Sequence, residues 1–124
     1  MKNPSERLDN LVDEIVSRYP DFNKAVYGYI LGAVEFASKQ PNISRGQSVS
    51  AKDLILRGVI PFGFVQWGFL TADVLNFWGI RTGKDVGDIV ERLVAVGVLK
   101  QDANDKLQDF EAVDLQGALL DFLK

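Results

Sequence analysis

The chain has 124 residues, of which 47% are hydrophobic, and its net charge is −3. This length and composition predict one globular domain with a core of its own. The sequence contains no cysteine and no histidine, which excludes disulfides, thiolate nucleophiles and histidine-based catalytic or metal sites. The acidic excess lies in residues 80–124, with nine acidic and six basic side chains, whereas residues 1–79 carry eight of each. That distribution disfavours binding of nucleic acid, which depends on basic side chains.

The N-terminal part is predicted to form three helices. Asn3 and Pro4 are suited to the start of the first helix, and Pro20 ends it. The second helix begins after Asp21 or Asn23 and runs to about Ser38. A loop rich in Pro, Asn, Ser and Gly follows from Gln40 to Val49. Ser50 then caps a third helix, and Asp53 stands where the acidic residue of a capping box is expected.

The segment from Gly58 to Ala72 has no charged residue, and three interpretations compete for it. We favour a buried central helix that is kinked at Pro61 and near Gly68. The second interpretation is a surface that binds a protein partner or a second copy of the chain. The third is membrane association, but fifteen residues with a proline and three glycines are too short for a span. The candidate interface of the second interpretation consists of Phe62, Phe64, Trp67 and Phe69.

The C-terminal part is predicted to contain helices and one small β-hairpin. A helix over about Leu70–Phe77 places Leu70, Val74, Leu75 and Trp78 on one side. Thr82 starts the next helix with Asp85 as its box partner, and Gly97 ends it. Two short strands are predicted at Val98–Gln101 and Phe110–Val113. Asp114 caps a closing helix over Leu115–Leu123.

This order of elements predicts a mainly α single domain with a winged-helix-like C-terminal half. The domain spans residues 1–124 and contains five to six helices and one small β-hairpin. Residues 1–57 form the N-terminal helices. Residues 58–124 form the helix-turn-helix, the wing-like hairpin and the closing helix.

Three acidic residues lie at intervals of three along one side of the helix that Thr82 starts. They would face the major groove if this helix bound DNA, which disfavours the usual role of a winged helix. They are also a candidate site for a hard cation. We favour a solvated face on which Lys84 and Arg92 are the partners of the acids, and we predict no metal and no cofactor. The residues of this acidic helix face are Asp85, Asp88 and Glu91.

No pattern typical of an enzyme is present, because the serines have no histidine to activate them. We therefore expect a non-enzymatic protein–protein interaction module, with a homodimer among the alternatives. A nucleic-acid-binding regulator and an enzyme that uses carboxylates without a visible motif are the other two hypotheses. The N-terminus has no apolar run after a basic start, which is not typical of a signal peptide and predicts a cytoplasmic protein.

A resemblance covers most of the chain. Its motifs are Gln66-Trp67-Gly68, Trp78-Gly79-Ile80, Thr82 to Asp85, Ile89-Val90 with Leu93-Val94, Gly97-Val98-Leu99 and Asp109-Phe110. With these motifs the chain resembles an uncharacterised bacterial domain family. The resemblance implies a conserved bacterial protein and transfers no activity. The chain departs from the family at Ser48, where the family has a histidine. It also departs at Pro61, which interrupts a segment expected to be a more regular helix in the family.

Overall fold

The computed structural model describes residues 4–40, 50–99 and 107–123, and these residues form six helices. The mainly α fold predicted from the sequence is confirmed. The helices are α1 (Pro4–Arg18), α2 (Lys24–Ser38), α3 (Ala51–Phe77), α4 (Gly83–Ala95), α5 (Leu107–Glu111) and α6 (Leu115–Leu123).

The helix starts follow the capping residues of the sequence. The Asn23 side chain accepts a hydrogen bond from the backbone N–H of Ala25 at 2.7 Å, and Ser50 Oγ accepts one from Asp53 at 3.1 Å. Thr82 and Asp85 form the predicted capping box. Because each cap satisfies an N–H group that lacks a partner within the helix, the start of each helix is a local property of the sequence.

Helix α3 is one element made of several segments. An α-helical turn at Ala51–Asp53 continues into a π-helical segment, Leu54–Val59, and then into the α-helix Ile60–Trp67. Pro61 has no N–H and its ring would clash with the carbonyl group four residues earlier, so the wider π-helical turn before it lets the helix continue. The predicted boundary between residues 57 and 58 therefore falls inside a helix.

The second irregularity of α3 lies at Gly68. This glycine has φ of 55°, a left-handed conformation that favours glycine, and it ends the α-helix Ile60–Trp67. A single 3-10 turn, Gly68–Leu70, then leads into the α-helical segment Thr71–Phe77. The axis of the last two turns of α3 therefore depends on the backbone conformation of Gly68 and does not simply continue the axis of the turns before it.

Helices α2 and α3 cross closely at the centre of the core. A Cβ atom on Gly58 would lie 2.7 Å from the carbonyl oxygen of Ala33, so glycine is required for this approach. The Tyr29 hydroxyl donates a hydrogen bond to the carbonyl oxygen of Val59. Burial raises the pKa of Tyr29.

Side chains from all six helices join one hydrophobic core, with members that include Val12, Ile30, Ile55, Leu75, Ile89, Phe110 and Leu119.

The predicted β-hairpin is wrong. Phe110 lies in α5, and Val113 follows it in the turn before α6. No residue within the ranges 4–40, 50–99 and 107–123 belongs to a strand. Gln101, the last residue of the other predicted strand, lies outside the described residues. Without the hairpin, the winged-helix description has no support.

A local cap and a tertiary contact explain the difference. Gly97 has φ of 83°, and the N–H groups of Val98 and Leu99 bond back to the carbonyl oxygen of Leu93, so these residues cap α4. Leu107 and Phe110 lie one helical turn apart and both pack against Gly87 of α4. A helix buries both side chains on α4, whereas alternation along a strand would turn them to opposite faces.

Candidate functional site

The structure places the four candidate interface residues in different environments. Phe62 is half-buried and stacks on Tyr29 with ring centroids 5.4 Å apart. Trp67 is half-buried and lies 5.2 Å from the same ring. Phe64 is half-buried against Phe122 of α6 at 4.6 Å. Phe69 alone is open, with 86% of its surface exposed, so the four residues do not form one surface.

The two most exposed of the large apolar side chains that the structure describes lie instead in the last turns of α3. Phe69 is 86% exposed, Phe77 is 85% exposed and Leu70 is 61% exposed. Phe69 and Phe77 are eight residues apart, which puts them on one side of the helix, and Leu70 lies seven residues before Phe77. We call these three residues the apolar face.

Two polar residues occupy the same side of α3. Asp73 lies four residues after Phe69 and four before Phe77, and it is exposed. Asn76 is exposed as well, and its side-chain oxygen accepts a hydrogen bond from Arg81 Nε at 2.7 Å. The apolar face therefore has one acidic residue at its centre and a guanidinium group at its C-terminal edge.

Only part of this face was predicted from the sequence. Phe69 was among the candidate interface residues, Leu70 was expected on the side of the buried Leu75, and Phe77 was not singled out. The useful signal was the position of Asp73 and Asn76, because polar residues mark the outward side of a surface helix. Phe69 and Phe77 share that side, so the same helical period directs them outward, whereas the packing of the other helices decides whether they are covered.

The acidic helix face of α4 has largely structural roles. Asp85 Oδ2 accepts hydrogen bonds from the N–H groups of Arg81 and Thr82, both at 2.9 Å. Asp88 pairs with Lys84 at 2.9 Å, and Glu91 is exposed. Across the residues that the structure describes, no three acidic side chains are grouped so that they could hold a metal ion.

Arg92 pairs with a different partner from the one predicted. Its guanidinium group donates two hydrogen bonds to the Asp21 carboxylate, at 2.7 and 3.0 Å, and one to the Tyr27 hydroxyl at 3.1 Å. It also lies 4.4 Å from the centre of the Tyr19 ring. Burial disfavours the charged form, but the hydrogen bonds to Asp21 and Tyr27 outweigh it and raise the pKa of Arg92. This cation is therefore engaged within the protein.

A cavity of about 520 Å³ lies between the start of α3 and the turn that joins α5 to α6. It is open to solvent on one side, and its lining contains one carboxylate and one ammonium group, those of Asp109 and Lys52. Among the described residues, every buried side-chain nitrogen or oxygen has a hydrogen-bond partner. The described lining therefore contains a single carboxylate and not two that face each other.

By length and composition α3 is compatible with a membrane span. It has 27 residues, its most apolar window has a mean hydropathy of 1.4, and 39% of that window is buried inside the protein. The core helix of a soluble protein can have the same length and apolar composition, so these two properties do not distinguish a membrane span from a core helix.

Comparison of the chain with protein-family models, with curated proteins and with solved structures finds no match.

Proposed function

We propose that this protein is a non-enzymatic interaction module that binds a protein partner through the apolar face of α3. The observation that carries the proposal is the exposure of Phe69 and Phe77, at 86% and 85%. Scattered exposed apolar residues are common, but two nearly free phenylalanines on one side of one helix form a patch. Burying an aromatic side chain is worth about 1.5–3 kcal/mol, and aromatic residues are frequent anchors of interfaces.

The arrangement of basic residues on α4 supports a protein partner over nucleic acid. Arg92 is bound to Asp21, and Lys84 is paired with Asp88. A helix that enters the major groove needs such cations for phosphates and base edges. With both engaged and the acids Asp85 and Glu91 beside them, α4 offers an unfavourable surface to a polyanion.

A photoreactive residue tests the proposal directly. We expect p-benzoylphenylalanine in place of Phe77 to form a discrete protein adduct after irradiation in the native cell. The adduct should disappear when Phe69→Ser is introduced into the same chain, since both side chains contact the partner. The matched control carries the photoreactive residue in place of Tyr19, which is 43% exposed and lies beside Arg92.

The control chain should give no adduct of the same mass. If neither position 69 nor position 77 forms a protein adduct while the purified protein is folded, the proposal is wrong. Adducts with lipid alone at both positions would also contradict it, because the apolar face would then contact a membrane.

A further inference from the structure

The chemistry of the apolar face also indicates what kind of partner covers it. Resting on the proposed function, we infer that the partner is an amphipathic helix that carries a lysine or arginine between two apolar side chains. Phe69 and Phe77 provide two apolar contacts, and Asp73 lies between them at a separation of four residues from each. The partner helix would then place its cation against Asp73.

The Asp73 carboxylate makes no hydrogen bond or ion pair with any residue in the described part of the chain. A wholly apolar partner that covered Phe69 and Phe77 would remove this charge from water without compensation, which is strongly unfavourable. A partner with a lysine or arginine at this point would supply the missing charge and hydrogen bond.

The charge of Asp73 also disfavours a second copy of the chain and a membrane as the partner. A symmetric pairing of two copies of the apolar face, with the two-fold axis at its centre, would set Asp73 against Asp73 of the other copy. Like charges in a desolvated contact oppose association. An anionic lipid surface meets the same repulsion, because it attracts basic and not acidic segments. The net charge of −3 likewise favours approach of a basic partner.

The spacing of the two phenylalanines favours a helix as the partner. Phe69 and Phe77 are separated by eight residues of helix, about 12 Å along its axis. The backbone groups of α3 are bonded within the helix, so the face offers no free edge to which a strand could add. A partner helix can present an apolar, a basic and an apolar side chain at the same four-residue intervals, opposite Phe69, Asp73 and Phe77.

The test uses two synthetic helical peptides with the same leucine side, one with lysines and one with glutamates on the flanking positions. We expect the wild-type protein to bind the lysine peptide and not the glutamate peptide, measured by fluorescence anisotropy. Asp73→Lys should weaken binding of the lysine peptide by about tenfold or more and should create binding of the glutamate peptide.

Glu91→Lys is the matched control, because it makes the same change in net charge at an exposed position of α4. It should leave the affinity for the lysine peptide close to that of the wild type. If Asp73→Lys and Glu91→Lys have equal effects, the peptide senses only net charge and the inference is wrong. A wild-type dimer that is lost in Phe77→Ser, measured by light scattering, would also overturn it in favour of a second copy.

The two proposals fail in different ways. If the adduct at position 77 forms equally well in Asp73→Lys, the face binds a partner but the inferred basic residue is absent. If no adduct forms and neither peptide binds, the proposed function itself is wrong.

Discussion

At the scale of single residues, Arg92 of α4 shows how one side chain joins two helices and the turn between α1 and α2. Its side chain is 15% exposed, and its guanidinium group contacts Asp21, Tyr27 and Tyr19, which come from α2 and the turn between α1 and α2. The hydrogen bond from Arg92 lowers the pKa of Asp21, although partial burial opposes it. Pairs with this two-bond geometry are stronger than ordinary surface ion pairs.

The lowered pKa of Asp21 predicts a specific pH dependence. The carboxylate is charged in the folded protein at a lower pH than in the unfolded chain, so its stabilising effect is complete at neutral pH. The effect is lost as the pH falls below about 4 and through the folded pKa. We expect Asp21→Asn to lower the free energy of unfolding by about 1 kcal/mol at pH 7, and by much less at pH 3.

Urea unfolding of both proteins at the two pH values measures this difference. Glu91→Gln is the control, since it removes an exposed acid that has no described partner. A difference between wild type and Asp21→Asn that is the same at pH 7 and pH 3 would contradict the role assigned to the pair.

At the scale of elements, the contact between α4 and α5 depends on two glycines. A Cβ atom on Gly83 would overlap the carbonyl oxygen of Phe110, and one on Gly87 would lie 2.7 Å from Leu107 Cδ1. Both glycines are buried in the first half of α4. The short helix α5 fits against α4 only because these positions have no side chain.

Substitution of Gly87 tests this contact. Alanine is a better helix former than glycine by about 1 kcal/mol, but overpacking a core costs about 1–3 kcal/mol. We therefore expect Gly87→Ala to lower the stability by about 1 kcal/mol in urea unfolding. Gly28→Ala is the matched control within α2, because no atom lies within 4 Å of the added Cβ.

Gly28→Ala should raise the stability by as much as about 1 kcal/mol. A stabilising Gly87→Ala would show that α5 moves away from α4 at little cost, and the close contact would then not be essential.

At the scale of the whole molecule, the last segment of α3 contributes some apolar residues to the protein core and leaves others on the protein surface. Leu75 of α3 is fully buried, whereas Phe69 and Phe77 on the same segment are almost fully exposed. Exposed aromatic side chains add little to the stability of the isolated domain. In the proposed function they contribute to a contact with another molecule, so folding and binding can be separated by mutation.

This separation predicts the effects of two substitutions on stability. The double variant Phe69→Ser and Phe77→Ser should change the free energy of unfolding by less than about 1 kcal/mol. It should also abolish binding of the lysine peptide, measured by fluorescence anisotropy. Leu75→Ala should cost about 2–5 kcal/mol because it leaves a cavity in the core. A large loss of stability in the double variant would mean that these side chains belong to the core.

The candidate site was predicted less completely than the fold. The helices of the fold depend on apolar residues spaced by one turn and on caps such as Thr82 with Asp85, and both are contacts between near neighbours in the chain. The candidate interface was chosen by composition, and composition does not state which side of a helix faces outward. Phe62 and Trp67 pack around Tyr29 of α2, a contact that depends on how α2 and α3 cross.

The sequence by itself determined that this protein is mainly helical, where most of its helices begin, and that it offers no histidine or cysteine chemistry. These properties depend on residues a few positions apart, so they can be derived without the fold. Tertiary structure alone decided that residues 107–111 form a helix on Gly83 and Gly87, that Arg92 binds Asp21, and that Phe69 and Phe77 remain exposed. Each of these outcomes depends on contacts, or on missing contacts, between segments far apart in the chain, and such contacts exist only once the helices are packed.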